Sequence, residues 1–296
     1  MGVELPSKLT EWLDGWGQAL KPAVQAGLEV AGLQPARLAL PVPLLVGTDC
    51  SGVDAPIHAL QGLGVPHCHL WGSEPWEPAR QMIEANTKPH HALFHSVLNG
   101  DWAPYVHLYI SGFSCKPFSM LHHKTKLLKE ADAAIFFGVV ERLSKVRPAA
   151  FVLENVHGIA RVKTQVLDRL RQQGYHVVTL SMGPTDLGIP VSRPRYYFLG
   201  VRTDVAVASE AVLQGKASMA WKHVKNSGPR AQGLMSLGDV LLPRVHPAVK
   251  SHQAMRKQRW RSAAAAGFPN TSKGCKWKEL PEFQLVLAGI VWLHCP

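Results

Sequence analysis

Few features of this chain point to a membrane or an oxidising compartment. It has only five cysteines, at 50, 68, 115, 275 and 295, and none forms a Cys-x-x-Cys pair. Neither a disulfide framework nor a zinc ribbon is written into that spacing, so a reduced intracellular setting is expected. The longest apolar run, Leu285 to Leu293, is far short of the ~18–20 residues that a spanning helix needs. No basic-then-apolar leader opens the sequence, and Pro6 stands where a myristoylation signal needs Ser or Thr. A soluble protein with no membrane partner is the expectation. Internal repeats and low-complexity tracts are missing as well, which excludes solenoids and disordered arrays. Fifteen histidines include the pair His122-His123, but no His/Cys spacing suits a tetrahedral ion, so no metal site is expected.

Acidic residues are scarce too, with 21 Asp and Glu against 32 Lys and Arg. The excess is uneven: Leu241–Pro296 carries nine Lys and Arg against Glu279 and Glu282. A cationic segment of this kind suits a polyanion, nucleic acid first, although a solvated solubilising face has the same composition. Its densest patch is Arg256, Lys257, Arg259 and Arg261 around Trp260, the candidate phosphate contacts. With hydrophobic residues at 46% and charged residues at 18%, the rest of the chain has enough apolar material for a core.

The chain opens with a helical pattern at Leu9, Trp12, Leu13, Trp16 and Leu20, followed by a Gly/Pro/Ala-rich stretch up to Pro43. Residues 1–42 therefore read as a helical arm and linker. From there, short apolar runs alternate with amphipathic segments. Strands are predicted at Leu44–Thr48, His69–Ser73, Leu108–Ser111, Ala150–Leu153, Tyr175–Ser181 and Tyr196–Val201. Helices are predicted at Ala55–Leu63, Pro78–Asn86, Ala131–Val146 and Val162–Gln173. Buried strands separated by helices give an α/β fold, a Rossmann-like doubly wound and mostly parallel sheet. Such sheets bind their ligands beyond the carboxyl ends of the strands.

That rule selects a short set of residues. The first strand runs into Asp49, Ser51 and Gly52, where a tight turn lets backbone amides approach a ligand. The second runs into Glu74 and Trp76; a carboxylate there accepts ribose hydroxyls and an indole stacks on a purine, unless the two are merely an exposed acid beside a half-buried Trp. Cys115 follows an apolar strand in a turn between Gly112 and Pro117. It is either a buried structural cysteine or a cleft thiol whose thiolate Lys116 favours. Glu154 and Asn155 end the run Ala149–Leu153, where partial desolvation raises a carboxyl's pKa and lets it hold a proton. Thiol and proton-bearing carboxyl together make a covalent-catalysis pair.

These residues resemble the cytosine-C5 DNA methyltransferases, a family with a branch that methylates tRNA. GFSCKPFS (112–119) resembles its nucleophile motif, usually GFPCQPFS, and Glu154-Asn155-Val156 its Glu-Asn-Val motif. GSEPW (72–76) is similar to the acidic cofactor motif, PVSRPRYYFLG (190–200) to the paired-arginine motif, and SLGDVL (236–241) to the segment entering the target-recognition region. The order agrees from about Leu44 to Leu241. Ser114, Lys116 and Val191 depart from the usual Pro, Gln and Gln; Cys50 replaces a Phe, and Asp54 stands where a second glycine is common. The family's acidic residue after the third strand aligns with Phe94–Val97, giving Ser96. The last two family motifs, including the Asn-bearing GNSV-like segment, have no counterpart before Pro296.

The resemblance implies the class I methyltransferase fold over 43–205, with a small basic target-recognition-like region at 206–296. It implies S-adenosylmethionine as cofactor, held by Asp49, Ser51, Gly52, Glu74, Trp76, Ser96, Gly112 and Asn155. The implied reaction is methyl transfer to C5 of cytosine, with Cys115 adding to C6, Glu154 at N3, and Arg193 and Arg195 orienting the base. DNA is the implied partner, contacted by Lys116 and the patch at Arg256, Lys257, Arg259 and Arg261, and a nucleus is the implied location, the cytoplasm otherwise. A tRNA methyltransferase and a non-catalytic nucleic-acid-binding paralogue are the alternatives.

Overall fold

The computed structural model describes residues 7–33, 43–98, 102–118, 133–189 and 191–228, with residues 7–16 as backbone alone. The chain divides into two compact units, and the one that carries the sheet runs from Gln18 to Leu234. The basic patch at Arg256–Arg261 lies outside the described residues.

Seven strands form one sheet: β1 (Leu44–Asp49), β2 (His67–Ser73), β3 (Ala92–Phe94), β4 (Leu108–Ser111), β5 (Ala150–Val156), β6 (Tyr175–Met182) and β7 (Arg195–Arg202). Their order is β3-β2-β1-β4-β5-β7-β6. All neighbours are parallel except β7, which is antiparallel to both β5 and β6. The doubly wound, mostly parallel sheet expected from the alternation of strands and helices is thus the one found. Successive strands move outward in opposite directions from the β1/β4 junction, a topological switch point of the kind that receives ligands in open sheets.

Helices α2 (Ala55–Leu63), α3 (Glu77–Asn86), α4 (Ala134–Val146) and α5 (Lys163–Arg171) connect the strands. Pro56 opens α2, where a missing N–H costs nothing, and Gly64 closes it at φ 70°. In α4, Phe136, Val139, Leu143 and Val146 share a buried stripe. Together with Val166 and Leu170 of α5 they cover Tyr109, Phe151, Leu153 and Phe198 of the sheet, the main core. Close approach matters at Gly200: a Cβ there would sit 2.1 Å from the Phe151 ring, so the position admits no larger residue.

Three elements depart from the sequence expectation. Strand β3 is only three residues long, too short to show periodicity. Helix α1 (Ser7–Val30) continues through Pro22 rather than giving way to a linker. Its packing explains this: Gly27 faces the Ala220 carbonyl, with only 2.9 Å for a Cβ, and Lys216 Nζ donates to the Ala31 carbonyl at 2.6 Å, satisfying the helix end. The third is α6 (Glu210–Ser227), which is not among the predicted helices and packs against the sheet edge. β6 is an edge strand, and an exposed edge invites foreign pairing. Glu210 Oε2 accepts from the Val177 amide at 2.8 Å, Gln214 Oε1 from the Thr179 amide at 2.9 Å, and Gln214 Nε2 donates to the Thr179 carbonyl.

The Arg171 guanidinium, first through a hydrogen bond to the carboxylate, holds the Glu210 carboxyl below its ordinary pKa. A carboxyl depressed in the folded state stabilises fully above the ordinary carboxylate range, and that contribution is lost as pH falls through it. Glu210→Ala is expected to cost about 1 kcal/mol at neutral pH. Urea unfolding curves check this: the deficit against the parent should shrink below about pH 4, and a deficit that grows on acidification would contradict the assignment.

Candidate active site

Parallel register places the ends of β1, β2, β4 and β5 at one edge, and the antiparallel β7 brings its first residue to the same edge, with Arg195 opposite Val156. Asp49, Glu154, Asn155 and Arg195 lie in the strand ends at this edge, and Ser51, Gly52, Glu74 and Gly112 follow directly after strand ends there.

The loop after β1 is unusual in its backbone. Cys50, Gly52 and Asp54 have φ of 53°, 57° and 60°, three left-handed residues in five. Gly52 adopts this freely, whereas Asp54 needs support. A buried network supplies it: Asp54 Oδ1 accepts from Thr48 at 3.1 Å, Oδ2 accepts from Thr87 at 2.8 Å, and His69 Nδ1 lies 3.4 Å from Oδ2. An aspartate in place of the usual glycine is thus bound into β1, β2 and the end of α3. The loop so shaped aims the Gly52 amide at Glu74 Oε2, 2.8 Å away, while Glu74 Oε1 accepts from the Trp76 amide at 3.0 Å.

Asp49 lies beneath this loop. It is 0% exposed; Oδ1 accepts from Ser73 Oγ, and Oδ2 accepts from Tyr109 at 2.8 Å and from Arg142 Nε at 3.0 Å. Arg142 is itself buried and lies over the Trp71 ring at 5.2 Å. Through these donors Asp49 fastens α4 beneath the loop. Ser51 is buried as well, its hydroxyl donating to the Ser73 carbonyl. Asn155 is buried too: Nδ2 donates to the Phe113 carbonyl at 2.9 Å and Oδ1 accepts from the Val156 amide. It therefore ties the Cys115 loop to the end of β5.

Of the other predicted residues, Trp76 (51% exposed) and Lys116 are exposed, Ser96, Gly112 and Cys115 are half-buried, and Glu74 is buried. A carboxylate at the end of β2, an exposed indole two residues on and a glycine-bearing loop are residue types that fit an adenosine-containing cofactor. Ser96 accepts from the Leu98 amide at 3.2 Å. Among the described residues no group of three His, Cys, Asp or Glu is placed to hold a metal ion, and no helix is long and apolar enough to cross a membrane.

Cys115 is half-buried, in a turn closed by the Phe118 amide donating to its carbonyl at 2.9 Å. Glu154 lies inside β5 rather than past its end, paired in register with Tyr197. Its Oε2 is 3.3 Å from where a Cβ on Gly112 would stand, so the glycine is what lets the carboxylate reach the Cys115 loop. Arg195 Nε lies 2.8 Å from Glu154 Oε1. Tyr197 is a residue that sequence reasoning missed. Burial first, and then the Glu154 carboxylate beside it, raise the phenol above its ordinary pKa and keep it protonated. Cys50 is the other thiol on this rim; burial, and then Asp49, push it up to about 12. It stays a thiol.

A profile described as C-5 cytosine-specific DNA methylase matches residues 50–262. The chain belongs to that family. Among similar curated proteins are the type II methyltransferase M.NgoBI of Neisseria gonorrhoeae, 32% identical over 141 residues, 45% of this chain and 44% of that protein, and M.BsuFI of Bacillus subtilis, 31% identical over 143 residues, 46% and 34%. The match therefore spans less than half the length of these relatives. Among solved structures, the Schizosaccharomyces pombe Dnmt2 methyltransferase is similar at 21% identity and a TM-score of 0.44, over 56% of this chain and 53% of that one. The strand order and the family match together identify the sheet as a class I methyltransferase fold.

The Asp49–Arg142 pair yields a stability test. Arg142→Met leaves a buried carboxylate without its partner and is expected to cost about 3–5 kcal/mol. Adding Asp49→Asn should recover much of that loss in denaturant titrations. If the double variant were no more stable than Arg142→Met, the pair would not be the source of the effect.

Proposed function

We propose that this chain is a DNA cytosine-C5 methyltransferase that uses S-adenosylmethionine, with Cys115 as nucleophile and Glu154 as the proton-handling carboxyl. The observation that carries this reading is the convergence of the Cys115 loop and Glu154 on one rim: Gly112 abuts the Glu154 carboxylate and Asn155 holds the Phe113 carbonyl. Family membership supplies the reaction class.

Glu74, Trp76 and the Gly52 loop are the residues that hold the cofactor, whose sulfonium supplies an electrophilic methyl to C5. The Cys115 thiolate adds to C6 of the base, and the electron pair displaced from the C5–C6 bond moves toward N3. Arg195 fixes the Glu154 carboxylate and favours its charged form, whereas a base that displaces water favours the protonated form. A proton is thus taken up with the base and shared between Glu154 and N3. Loss of the C5 proton and β-elimination then restore the thiolate. Since a stacked cytosine is out of reach, the base must leave the duplex, at roughly a few kcal/mol. Lys116 on the rim and the segment holding Arg256, Lys257, Arg259 and Arg261 supply phosphate contacts that offset this.

Cys115→Ala is expected to abolish transfer of tritiated methyl groups to duplex DNA while leaving duplex affinity within about twofold; retained transfer would remove Cys115 from the mechanism. Glu154→Gln, which cannot hold the proton, should lower the single-turnover rate by about 10²–10⁴-fold. A loss smaller than tenfold would exclude proton transfer at this carboxyl. Unmodified tRNA in the same assay should accept far less methyl than duplex DNA, and the opposite preference would overturn the choice of substrate.

A further inference from the structure

The loop that carries Cys115 is fastened at two points, and only one lies in the Glu-Asn-Val stretch. At its start, Asn155 donates to the Phe113 carbonyl at 2.9 Å. At its end, Arg161 donates from a terminal guanidinium nitrogen to the Phe118 carbonyl at 2.9 Å, and from Nε to the Gly158 carbonyl at 3.2 Å. Gly158 and Arg161 belong to the 3-10 turn at His157–Val162 that follows β5 directly. The Phe118 amide in turn donates to the Cys115 carbonyl, also at 2.9 Å. A continuous run of hydrogen bonds thus leads from the rigid end of β5 through Arg161 and Phe118 to the backbone of Cys115.

The side chains around this run make it stiff. The Phe118 and Phe113 rings are buried and meet edge to face at 6.1 Å, and Phe113 packs on Phe136 of α4 at 5.4 Å. Packing fixes the ring of Phe118 but leaves its peptide free to rotate, and the Arg161 hydrogen bond removes that freedom. One guanidinium spans two carbonyls that lie 40 residues apart in the chain. Its donors form a planar fork, so holding the Gly158 carbonyl sets the direction of the second donor; a lysine ammonium has no such constraint.

From this geometry we infer that Arg161 is a positioning residue for the nucleophile, fixing the Cys115 backbone through Phe118. This rests on the reading of Cys115 as nucleophile given above. A thiol that adds to a ring carbon must hold its line of approach, and a displacement of about 1 Å costs on the order of 10²-fold in rate. Arg161 touches no reacting atom in this scheme, so its loss should slow the addition step and spare binding.

The test uses the full chain and duplex DNA containing 5-fluorocytosine, on which the covalent adduct accumulates. Arg161→Met, which keeps the apolar stem, is expected to slow adduct formation by about 10–100-fold. Arg161→Lys should recover only a part of that. Isothermal titration with S-adenosylhomocysteine and duplex affinity should stay within about twofold of the parent. Hydrogen exchange should rise at least tenfold in peptides covering 112–118 and remain unchanged in the sheet. Trapping at the parent rate per folded molecule, or unchanged exchange in 112–118, would overturn the inference. A lowered melting temperature with no change in trapping rate would assign Arg161 a purely structural role and overturn it equally. The Cys115→Ala variant run alongside separates the two levels: if it traps as fast as the parent, the nucleophile assignment fails, whereas its silence beside a fast Arg161→Met variant faults the positioning role alone.

Discussion

The parallel ladder joining β1, β4 and β5 is the constraint on which everything else in this molecule depends. Because Asp49 stands opposite Ser111 and Ser111 opposite Leu153, the three loops that follow must emerge side by side at one edge. The reversal of strand order between β1 and β4 then opens a crevice there, since the helices that leave these strands go to opposite faces. β7 adds what a purely parallel sheet does not provide: entering from the opposite direction, it delivers Arg195 and Tyr197 beside Glu154. Four stretches of chain scattered between residues 49 and 197 become neighbours through register alone.

Charge is managed differently in the two halves of this edge. Beneath the β1 loop, charged groups are buried in full: Asp49 with Arg142, and Asp54 among Thr48, Thr87 and His69. Burial of this kind is stabilising only when every lone pair has a donor, and here each carboxylate oxygen has one. Such a network is rigid, and it holds three left-handed residues in a shape that solvent would not maintain. On the β5–β7 side, the Glu154–Arg195 pair is open to water, with about a quarter of the carboxylate side chain exposed. One half of the edge is thus fixed by buried pairs, while the other leaves its ion pair in contact with water.

Asp49 and Asn155 are buried for a common reason. Both are polar residues at strand ends, which is where ligands bind, but also where loops need fastening. The backbone amides and carbonyls of a loop that leaves a sheet have lost their ladder partners and must find others. Asn155 serves the Phe113 carbonyl, and Arg161 does the same for Phe118, while Asp49 collects hydroxyls and a guanidinium. A side chain at such a position is as apt to hold the loop as to hold the ligand.

The sequence by itself determined the periodic elements and the order of the chemistry along them. The apolar run at Leu108–Ser111 and the amphipathic segment Ala55–Leu63 predicted those elements to the residue, because burial imposes a period that composition must obey. The Gly-Phe-Ser-Cys and Glu-Asn-Val stretches marked Cys115 and Glu154 as candidates through their resemblance to family motifs. What only the tertiary structure decided is which partner each polar group takes. Helix α1 runs through Pro22 because α6 packs on it, and α6 binds to an edge strand through Glu210 and Gln214. Arg142 finds Asp49 across 93 residues, and Arg161 finds Phe118 across 43. Contacts at that separation leave no periodic trace in a single sequence, because pairing depends on register and packing rather than on neighbours along the chain.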